Sequence, residues 1–515
     1  MLTTTSRRRA MLAAAAIGLL LPASLAAQGR EPFPGLDTYI EKAIADWKVP
    51  GLGVAIVRND SLIYARGYGV REVGKPDRVT EKTIFAIGSS SKAFTAAAVA
   101  MLVDDKKVSL DASAATYLPG FQLYDPYASR ELTVRDLLSH RSGLARGELA
   151  WYGSPFDRDE IVRRVRYLRP TWSFRSQFGY QNIMYIAAGQ VVAKVSGKSW
   201  DDFVRERIFT PLGMSTASTT IRGLESIGDL ASPHAEVNDT VRVVRWRNID
   251  NAGPAGSINA NVVEMAQWVR LQLGRGNYAG KQLISPRLVD EMHQAHTVIR
   301  VDSAARASNP FTHLQSYGLG WFLQDHRGRL LVHHGGNVDG FTALVGMMPE
   351  EKFGVVLLTN MNGTGLPNAL MLKLFDLQLE APPRDWSGEA LQRLEGARQR
   401  AREAQARAAG QRVANTRPTL PLSAYAGTYT DSLYGDVVVK EEGGKLHLAF
   451  GPNWQGTLEH WHFDSFRVQF ATPVLPAVPV TFRIGGNGRV ELVQLDMAGI
   501  AEFRKVPDAS AGGSR

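Results

Sequence analysis

The amino-acid sequence predicts an α+β fold, in which a helical layer covers an antiparallel sheet, followed by a small all-β unit. Two observations predict the first part: strand patterns stand at both ends of a long region, and helical periodicity fills the space between them. Beyond residue 425 the pattern changes to short alternating strands separated by glycine turns, which predicts a barrel or sandwich. A chain of 515 residues is longer than one core usually supports, so more than one domain is expected.

Residues 1–27 have the pattern of a signal peptide. Arginines at positions 7–9 precede an apolar run over 10–21, and small residues follow it. The run is too short to span a bilayer, which takes about 20 residues. We therefore expect cleavage, no stable membrane span, and a periplasmic or secreted protein. The arginine run also suggests the twin-arginine route; a plain Sec signal or a retained anchor is the alternative.

Composition excludes several classes of protein. The chain has no cysteine, which removes thiol nucleophiles and Cys-ligated zinc from consideration. The formal net charge is +9, and subtracting the three arginines at 7–9 leaves 9 − 3 = +6. The remaining basic residues form no stripe interleaved with aromatic residues, so no nucleic-acid partner is expected.

The elements of the first domain follow from periodicity. Apolar residues at steps of three and four predict a helix over Leu36–Trp47. Two apolar runs joined by the polar turn 58–61 predict strands over Leu52–Val57 and Leu62–Tyr68. Further helices are predicted over 89–105, 134–139, 159–167, 182–195 and 200–208, and late strands over 329–333, 342–348 and 353–359.

The second half of the chain divides into a spacer and the β unit. Residues 390–409 keep helical spacing among charged residues, and prolines at 418 and 421 end the pattern, which predicts a solvated helix. Six strands are expected after it, over 435–440, 446–450, 466–470, 480–484, 489–495 and 501–505. The predicted division of the chain is a main domain over 28–385, a helical linker over 386–417, the β domain over 418–507 and a disordered tail over 508–515.

A Ser-x-x-Lys motif stands where a predicted helix begins. Residues three apart share a helix face, so the Lys92 ammonium can reach the Ser89 hydroxyl. A helix N-terminus also presents backbone N–H groups to a developing oxyanion. A serine needs such help, because its hydroxyl alone is a poor nucleophile. A single short motif of this kind is weak evidence by itself.

Further strings accompany the motif in a fixed order. They are Leu137-Leu138-Ser139-His140-Arg141-Ser142-Gly143-Leu144, Tyr180-Gln181-Asn182, Pro211-Leu212-Gly213-Met214, Tyr317-Gly318-Leu319-Gly320-Trp321 and His333-His334-Gly335-Gly336-Asn337. In this order they resemble the serine β-lactamase-related family, which includes class C β-lactamases, penicillin-binding proteins, D-amino-acid peptidases and related esterases. The resemblance covers roughly residues 35–374 and implies a β-lactamase/DD-peptidase-like domain.

The resemblance implies a role for each matching residue. Ser89 forms an acyl-enzyme, and Lys92 either deprotonates it or keeps Tyr180 anionic. Tyr180 relays the proton to the leaving group and later activates water. Asn182 orients Lys92 and the substrate. The backbone N–H groups of Ser89 and Asn337 form the oxyanion hole.

One string departs from the family pattern. The usual Lys-Thr-Gly is here His334-Gly335-Gly336, which replaces a cation by an ionisable imidazole and removes a hydroxyl. Both lost groups commonly grip a substrate carboxylate. The departure therefore favours ester or amide substrates, D-amino-acid peptides included, over penicillins. The alternatives are a β-lactamase, a penicillin-binding sensor that acylates without turnover, and a structural envelope protein with an inactive hydrolase domain.

Other candidate residues receive weaker assignments. His140 is expected to be a hydrogen-bonded structural residue, and Trp151-Tyr152 with Trp172 are candidates for the cleft lining. His460 and His462 share a strand face, but no third histidine is near, so no metal site is predicted and no cofactor is implied. The strings Tyr425-Ala426-Gly427-Thr428-Tyr429 and 460–466 resemble a lipocalin-like domain, which implies a cover over the cleft, a limit on substrate size or a contact for homo-oligomers.

Overall fold

The computed structural model describes residues 31–451, 453–470, 475, 477–497 and 499–507. The predicted signal peptide and the predicted tail over 508–515 lie outside the described residues. Among the helices that are described, none is both long and apolar enough to cross a membrane.

An eight-stranded antiparallel sheet forms the centre of the first domain. Its strands are β1 (Gly51–Arg58), β2 (Ser61–Gly69), β3 (Thr297–Ile299), β4 (Gln315–Tyr317), β5 (Phe322–His326), β6 (Arg329–Val338), β7 (Phe341–Met348) and β8 (Phe353–Thr359). The order across the sheet is β2-β1-β8-β7-β6-β5-β4-β3. The first hairpin of the chain therefore pairs with the last strand, with Val54 opposite Leu357. This confirms the prediction of a sheet closed by distant segments.

The helices of the domain come from its start, its middle and its end. The longer ones are α1 (Leu36–Asp46), α2 (Ser91–Asp104), α3 (Asn182–Ser196), α4 (Val262–Leu273), α5 (Leu366–Gln378) and α6 (Trp386–Gly410). Shorter helices are Ala114–Tyr117, Pro126–Glu131, Val134–Leu138, Arg158–Arg164, Trp200–Val204, Thr210–Leu212, Gly253–Gly256, Pro286–Met292 and Ser303–Ser308.

Small residues let the central helices pack tightly. Residues 91–102 of α2 are all buried, and most are alanine, serine or threonine. Residues 182–192 of α3 are buried as well, so α2 and α3 lie in contact inside the domain. On α2, Phe94 stacks on Trp268 of α4 with ring centroids 4.0 Å apart. The helix that carries Lys92 is thus fixed on all sides by close packing.

Two differences between predicted and observed boundaries concern the segments that carry Ser89 and His334. The helix expected from Ser89 begins as a 3₁₀ turn over Gly88–Ser90 and becomes α-helical only at Ser91, because Gly88 has a left-handed φ of 52°. The strand expected over 329–333 continues to Val338 as β6. The two glycines at 335 and 336 interrupt the alternating pattern that predicts strands, while pairing with β7 keeps the backbone extended.

Helix α6 is only partly the solvated spacer that the sequence predicts. Trp386 and Ser387 are buried, and the Trp386 indole donates to Asp376 Oδ2 at 2.8 Å. The Trp47 indole donates to Ser387 Oγ at 3.0 Å. From Ala397 to Gly410 every residue is exposed. The first turn of α6 therefore packs into the core of the first domain, and the remainder is solvated.

The C-terminal unit is a closed antiparallel barrel of eight strands. They are β9 (Gly427–Asp431), β10 (Gly435–Glu442), β11 (Lys445–Phe450), β12 (Trp454–His462), β13 (Ser465–Val468), β14 (Val478–Ile484), β15 (Val490–Asp496) and β16 (Ile500–Lys505). Each strand pairs with the next, and β16 closes on β9. The structure thus decides between barrel and sandwich. Strands β9 and β12 were not predicted, because their polar residues and Gly456 weaken the alternating pattern. Likeness to lipocalins stays a prediction.

Candidate active site

The nucleophile candidate Ser89 lies in a tight turn at the start of α2. The preceding segment pairs with Asn259–Ala260, and Ile87 N–H donates to Ile258 O at 2.9 Å. Ser91 Oγ closes the turn by donating to Gly88 O at 2.7 Å. Ser89 is half-buried and lines a cleft of about 360 Å³. The turn therefore presents the Ser89 side chain to the cleft from a fixed backbone.

Glycines let this turn press against strand β6. A Cβ at Gly336 would lie 1.9 Å from Ile87 O and 2.8 Å from the amide nitrogen of Ser89. A Cβ at Gly88 would lie 2.6 Å from the amide nitrogen of Asn337. The family resemblance assigns the amide nitrogens of Ser89 and Asn337 to an oxyanion hole. Both thus lie along the seam where the turn contacts β6. Beyond His333, β6 pairs only with β7, which leaves its other edge facing the turn.

Lys92 lies one helical turn below the serine, as the Ser-x-x-Lys spacing predicts. Its Nζ donates to Ser89 Oγ at 3.0 Å and to Ala255 O at 2.7 Å. The side chain is completely buried. Burial holds the pKa of Lys92 well below its usual range; Glu148 opposes this shift and Arg146 adds to it. A neutral amine beside a hydroxyl is able to accept its proton.

Tyr180 lies above Lys92 in an aromatic setting. The Lys92 Nζ is 4.8 Å from the centroid of the Tyr180 ring. The rings of His140 and Phe322 flank it, at centroid distances of 4.2 Å and 6.5 Å. Burial raises the pKa of Tyr180, although a hydrogen bond with Ser89 lowers it in part. The phenol is therefore protonated near neutral pH and is a proton donor rather than a phenolate.

Asn182 lies at the first turn of α3, where the Gln181 side chain caps the helix by accepting from Ile183 N–H at 2.9 Å. The Asn182 Nδ2 donates to both carboxylate oxygens of Glu148 at 3.3 Å. Among the described residues, the hydrogen bonds of Lys92 go to Ser89 and Ala255. The orientation of Lys92 that the family resemblance assigns to Asn182 is thus supplied by a backbone carbonyl.

His334 is buried at the floor of the cleft. Its Nε2 lies 3.0 Å from the Tyr317 hydroxyl, and its Nδ1 lies 2.6 Å from Gly335 O. Burial, with a smaller contribution from Lys92, lowers the pKa of His334 to about 3. The imidazole is neutral near pH 7. The position that carries a lysine cation in the usual Lys-Thr-Gly string therefore holds no charge here.

The cleft brings the sequence-predicted residues together. Its lining includes every predicted catalytic and substrate-binding residue apart from buried Lys92, together with Trp151 and the unpredicted residues Arg146, Glu148, Ile249, Ala252, Ala255, Gly256 and Phe322. Trp151, one of the aromatic residues predicted to line the cleft, does line it. Trp172 does not lie there but lines a separate hollow beside Leu123 and Phe174.

The charged pair Arg146 and Glu148 at the rim of the cleft was not predicted from the sequence. Arg146 Nε donates to Glu148 Oε1 at 2.6 Å, and the Arg146 guanidinium lies 5.1 Å from the centroid of the Tyr180 ring. Both residues follow the Ser-Gly-Leu string in a loop without periodicity. The sequence signal for this pair is the Ser-Gly-Leu string that stands just before it. In the structure the segment with this string lies beside Tyr180, because Gly179 N–H donates to His140 O at 2.8 Å.

The other histidines considered as candidates in the sequence are His140, His460 and His462. His140 is buried, and its Nδ1 accepts from Gln181 N–H at 3.1 Å, in agreement with a structural role. His460 Nε2 lies 2.9 Å from Phe463 O, and Val413 N–H points to His462 Nδ1 at 3.4 Å. His460 and His462 thus have different backbone partners.

Comparison with known proteins agrees with this geometry. Residues 36–376 match the model of the Beta-lactamase family. The chain belongs to the beta-lactamase family. The resemblance expected from the ordered motifs is confirmed. Residues 411–507, which include the barrel, match a domain of unknown function (DUF3471).

Individual relatives align with most of this beta-lactamase family chain. A protein of Aspergillus campestris (strain IBT 28561) named unguisins hydrolase ungD' is 29% identical over 489 residues, which are 88% of this chain and 87% of the relative. The octameric penicillin-binding protein homologue from Pyrococcus abyssi is 22% identical with a TM-score of 0.61, covering 91% of this chain and 99% of that one.

A third comparison covers about two thirds of this chain. The D-stereospecific amidohydrolase from Streptomyces sp. is 21% identical with a TM-score of 0.53, covering 64% of this chain and 95% of that one. At this identity the likeness shows a shared fold. The β-lactamase/DD-peptidase-like fold predicted from the sequence is thus confirmed.

Proposed function

We propose that this protein is an exported serine hydrolase that forms an acyl-enzyme on Ser89 and cleaves ester or amide bonds. One observation carries the proposal: a fully buried lysine with a lowered pKa donates to the hydroxyl of a serine that lines a cleft. A buried amine without a carboxylate partner costs stability, so its place beside an accessible hydroxyl is best explained by chemistry.

Lys92 acts as the general base in acylation. Ser89 Oγ attacks the substrate carbonyl carbon while its proton passes to the neutral Nζ of Lys92. Of the two roles that the sequence leaves open for Lys92, this one is supported by the protonation states, since Tyr180 is held as a phenol. The negative charge on the tetrahedral oxygen is stabilised by the N–H groups of Ser89 and Asn337.

Tyr180 acts on the leaving group. Its phenol donates a proton to the departing alkoxide or amine, and the resulting phenolate takes a proton from Lys92. Lys92 is then neutral again, and Ser89 carries the acyl group as an ester. In deacylation a water attacks that ester, giving its proton to the Tyr180–Lys92 pair, and Ser89 Oγ leaves with a proton. Charge and protons balance over one cycle.

The cleft supports ester or amide substrates without a free carboxylate near the nucleophile. His334 is neutral, and Gly335 has no hydroxyl to replace the threonine of Lys-Thr-Gly. A β-lactamase is the second candidate because the fold and the Ser89–Lys92 pair serve it equally well. The names of the Aspergillus relative, a hydrolase, and of the Streptomyces structure, a D-stereospecific amidohydrolase, support amide cleavage, D-amino-acid peptides included.

Export is proposed from residues 1–27 alone. A cleaved signal peptide, by the twin-arginine or the Sec route, gives a periplasmic or secreted enzyme. N-terminal sequencing of the mature protein from the periplasm tests this. A mature N-terminus near residue 28 supports export, and an intact Met1 in the cytoplasm contradicts it.

Hydrolysis of three chromogenic substrates tests the proposed activity. They are a short-chain p-nitrophenyl ester, a D-alanyl p-nitroanilide and a chromogenic cephalosporin, each assayed with wild type, Ser89→Ala and the control Ser423→Ala, an exposed serine of the barrel unit. We expect turnover of the ester or the anilide that Ser89→Ala abolishes and Ser423→Ala leaves intact. A one-to-one burst without turnover would support the sensor alternative, and activity that survives Ser89→Ala would overturn the proposal.

A further inference from the structure

One loop of the first domain has two faces. Glu148 and Trp151 line the cleft beside Ser89. Leu149, between them, is buried in the apolar core of the barrel, and Tyr152 packs against that same core. The loop over 148–153 is therefore a wall that the active site and the barrel share.

The barrel contacts this wall mainly through the side chain of Trp454. The Trp454 indole N–H of β12 donates to Tyr152 O at 3.2 Å, and the two rings are 5.3 Å apart. A Cβ at Gly153 would lie 2.4 Å from Trp454 Nε1, so the loop backbone and the indole are in close contact. Asn453 adds a second hydrogen bond, from Nδ2 to Gly153 O at 3.1 Å.

Tyr152 and Arg247 connect Trp454 to the turn that follows Asn337. The Tyr152 hydroxyl donates to Asp339 Oδ1 at 2.5 Å, and Arg247 Nε donates to Asp339 Oδ2 at 3.0 Å. The Arg247 guanidinium lies 5.0 Å from the Tyr152 ring centroid and 5.2 Å from that of Trp454. Asp339 follows Asn337 by two residues in the turn between β6 and β7. The loop over 148–153 and the turn that follows Asn337 are thus linked by the contacts of Tyr152 and Arg247 with Trp454.

We propose that the barrel is a working part of the substrate site, with Trp454 as the positioning residue that fixes Glu148 and Trp151 for substrates with a peptide-like acyl portion. The inference rests on the proposed function and names the substrate class of that site. The wall offers a carboxylate that accepts amide N–H groups and an indole face for apolar side chains. A short acyl chain ends near Ser89 and gains little from this wall, whereas a peptidyl group extends along it.

The proposal predicts a selective effect on binding. Loosening the wall leaves the hydrogen bonds of Lys92 with Ser89 and Ala255 in place, so we expect the chemical step on a short ester to change far less than peptidyl binding. A peptidyl substrate loses positioned contacts, so its KM rises. A purely structural barrel would instead lower activity toward both substrates in parallel, through the amount of folded protein.

Two esters with one leaving group test the proposal. They are p-nitrophenyl acetate and the p-nitrophenyl ester of an acetylated D-alanyl dipeptide, which differ only in the acyl portion. Trp454→Ala is compared with Trp461→Ala, an identical change on the same strand, where the indole contacts Arg412 and Arg467. We expect Trp454→Ala to lower the ratio of kcat/KM for peptidyl ester to acetate about tenfold, mainly through KM. Trp461→Ala keeps the ratio within about twofold.

Milder variants guard against loss of the barrel fold. Trp454→Phe keeps most of the ring packing and removes the N–H donor, and Asn453→Ala removes an exposed donor. Each is expected to lower the ratio about threefold. An unchanged ratio in both, or equal losses for both esters in Trp454→Ala, would overturn the proposal. Wild type that neither hydrolyses the esters nor reacts with a fluorophosphonate would overturn the proposed function itself, and the inference with it.

Discussion

The Nζ atom of Lys92 lies 3.0 Å from the Oγ atom of Ser89, in surroundings that exclude water from the amine. Its second hydrogen bond goes to a backbone carbonyl, Ala255 O, so neither contact supplies a compensating negative charge. A lysine placed this way is uncharged more readily than a lysine in water. The arrangement costs stability and provides a base, and the two consequences are separable by mutation.

Replacing Lys92 by methionine should remove activity without unfolding the protein. Methionine fills a similar volume with apolar atoms, so we expect Lys92→Met to keep the melting temperature or raise it, with a gain of up to about 2 kcal/mol in unfolding free energy. The kcat should fall at least about a thousandfold because the base is lost. Calorimetry and ester hydrolysis measure both. A variant that is inactive only because it is unfolded would contradict the account.

The lowered pKa of Lys92 also predicts how stability depends on pH. The unfolded chain binds the proton up to the usual lysine pKa of 10.5, whereas the folded chain has already released it. Stability contributed by Lys92 therefore rises with pH between its folded and unfolded pKa values. Urea unfolding of wild type and Lys92→Met at pH 6 to 9 should show wild type gaining relative stability, by at most about 1.4 kcal/mol per pH unit. A flat difference would contradict a neutral Lys92.

Tyr180→Phe tests the proton donor. The substitution keeps the ring that packs between His140 and Phe322 and removes only the hydroxyl. We expect kcat to fall about a hundredfold or more with little change in melting temperature. The loss should be smaller for a p-nitrophenyl ester than for an anilide, because p-nitrophenolate leaves without protonation. Equal losses on both substrates would argue against a role on the leaving group.

Two adjacent glycines form a matched pair. An alanine Cβ at Gly336 would lie 1.9 Å from Ile87 O, whereas one at Gly335 would lie 3.5 Å from Ala343 O, an ordinary contact. Gly336→Ala should shift the Ser89 turn and lower kcat/KM at least about a hundredfold. Gly335→Ala should stay within about threefold of wild type. The same assay on both variants checks this, and a tolerated Gly336→Ala would show that the seam is not needed.

A buried carboxylate should set the acid stability of the first domain. Burial alone would raise the Asp376 pKa, but hydrogen bonds from His326, Arg327 and Trp386 outweigh it and lower the pKa to about 2. Its stabilisation is present above pH 3.8 and is lost as the pH falls through 2. Asp376→Asn should cost about 3 kcal/mol at pH 7 and flatten the acid limb of the unfolding curve. Asp290→Asn, at an exposed ion pair with Arg275, should change stability by less than about 1 kcal/mol.

Much of the site was predictable because its residues stand in short motifs of the sequence. Ser89 and Lys92 follow from spacing on one helix, and Tyr180 with Asn182 follow from a string at the start of another. The order of the strings along the chain predicted the fold as well, because in this order they resemble the β-lactamase-related family.

The parts that were missed depend on non-local contacts. Ala255 contributes a carbonyl, which every residue has, so no side-chain pattern marks it. Arg146 and Glu148 stand in an irregular loop whose path is set by the barrel and by Tyr180. The hydrogen bond between Trp386 and Asp376 was not predictable either. A charged helix that follows a domain has the sequence pattern of a solvated helix, whether or not its first turn packs against that domain.

The measurement that tests the central claim most directly is the intact mass of the protein after reaction with a fluorophosphonate. The account predicts one adduct per chain, mapped by peptide sequencing to Ser89, with none in Ser89→Ala and slow labelling in Lys92→Met. No adduct in folded wild type, or an adduct that persists in Ser89→Ala, would contradict it.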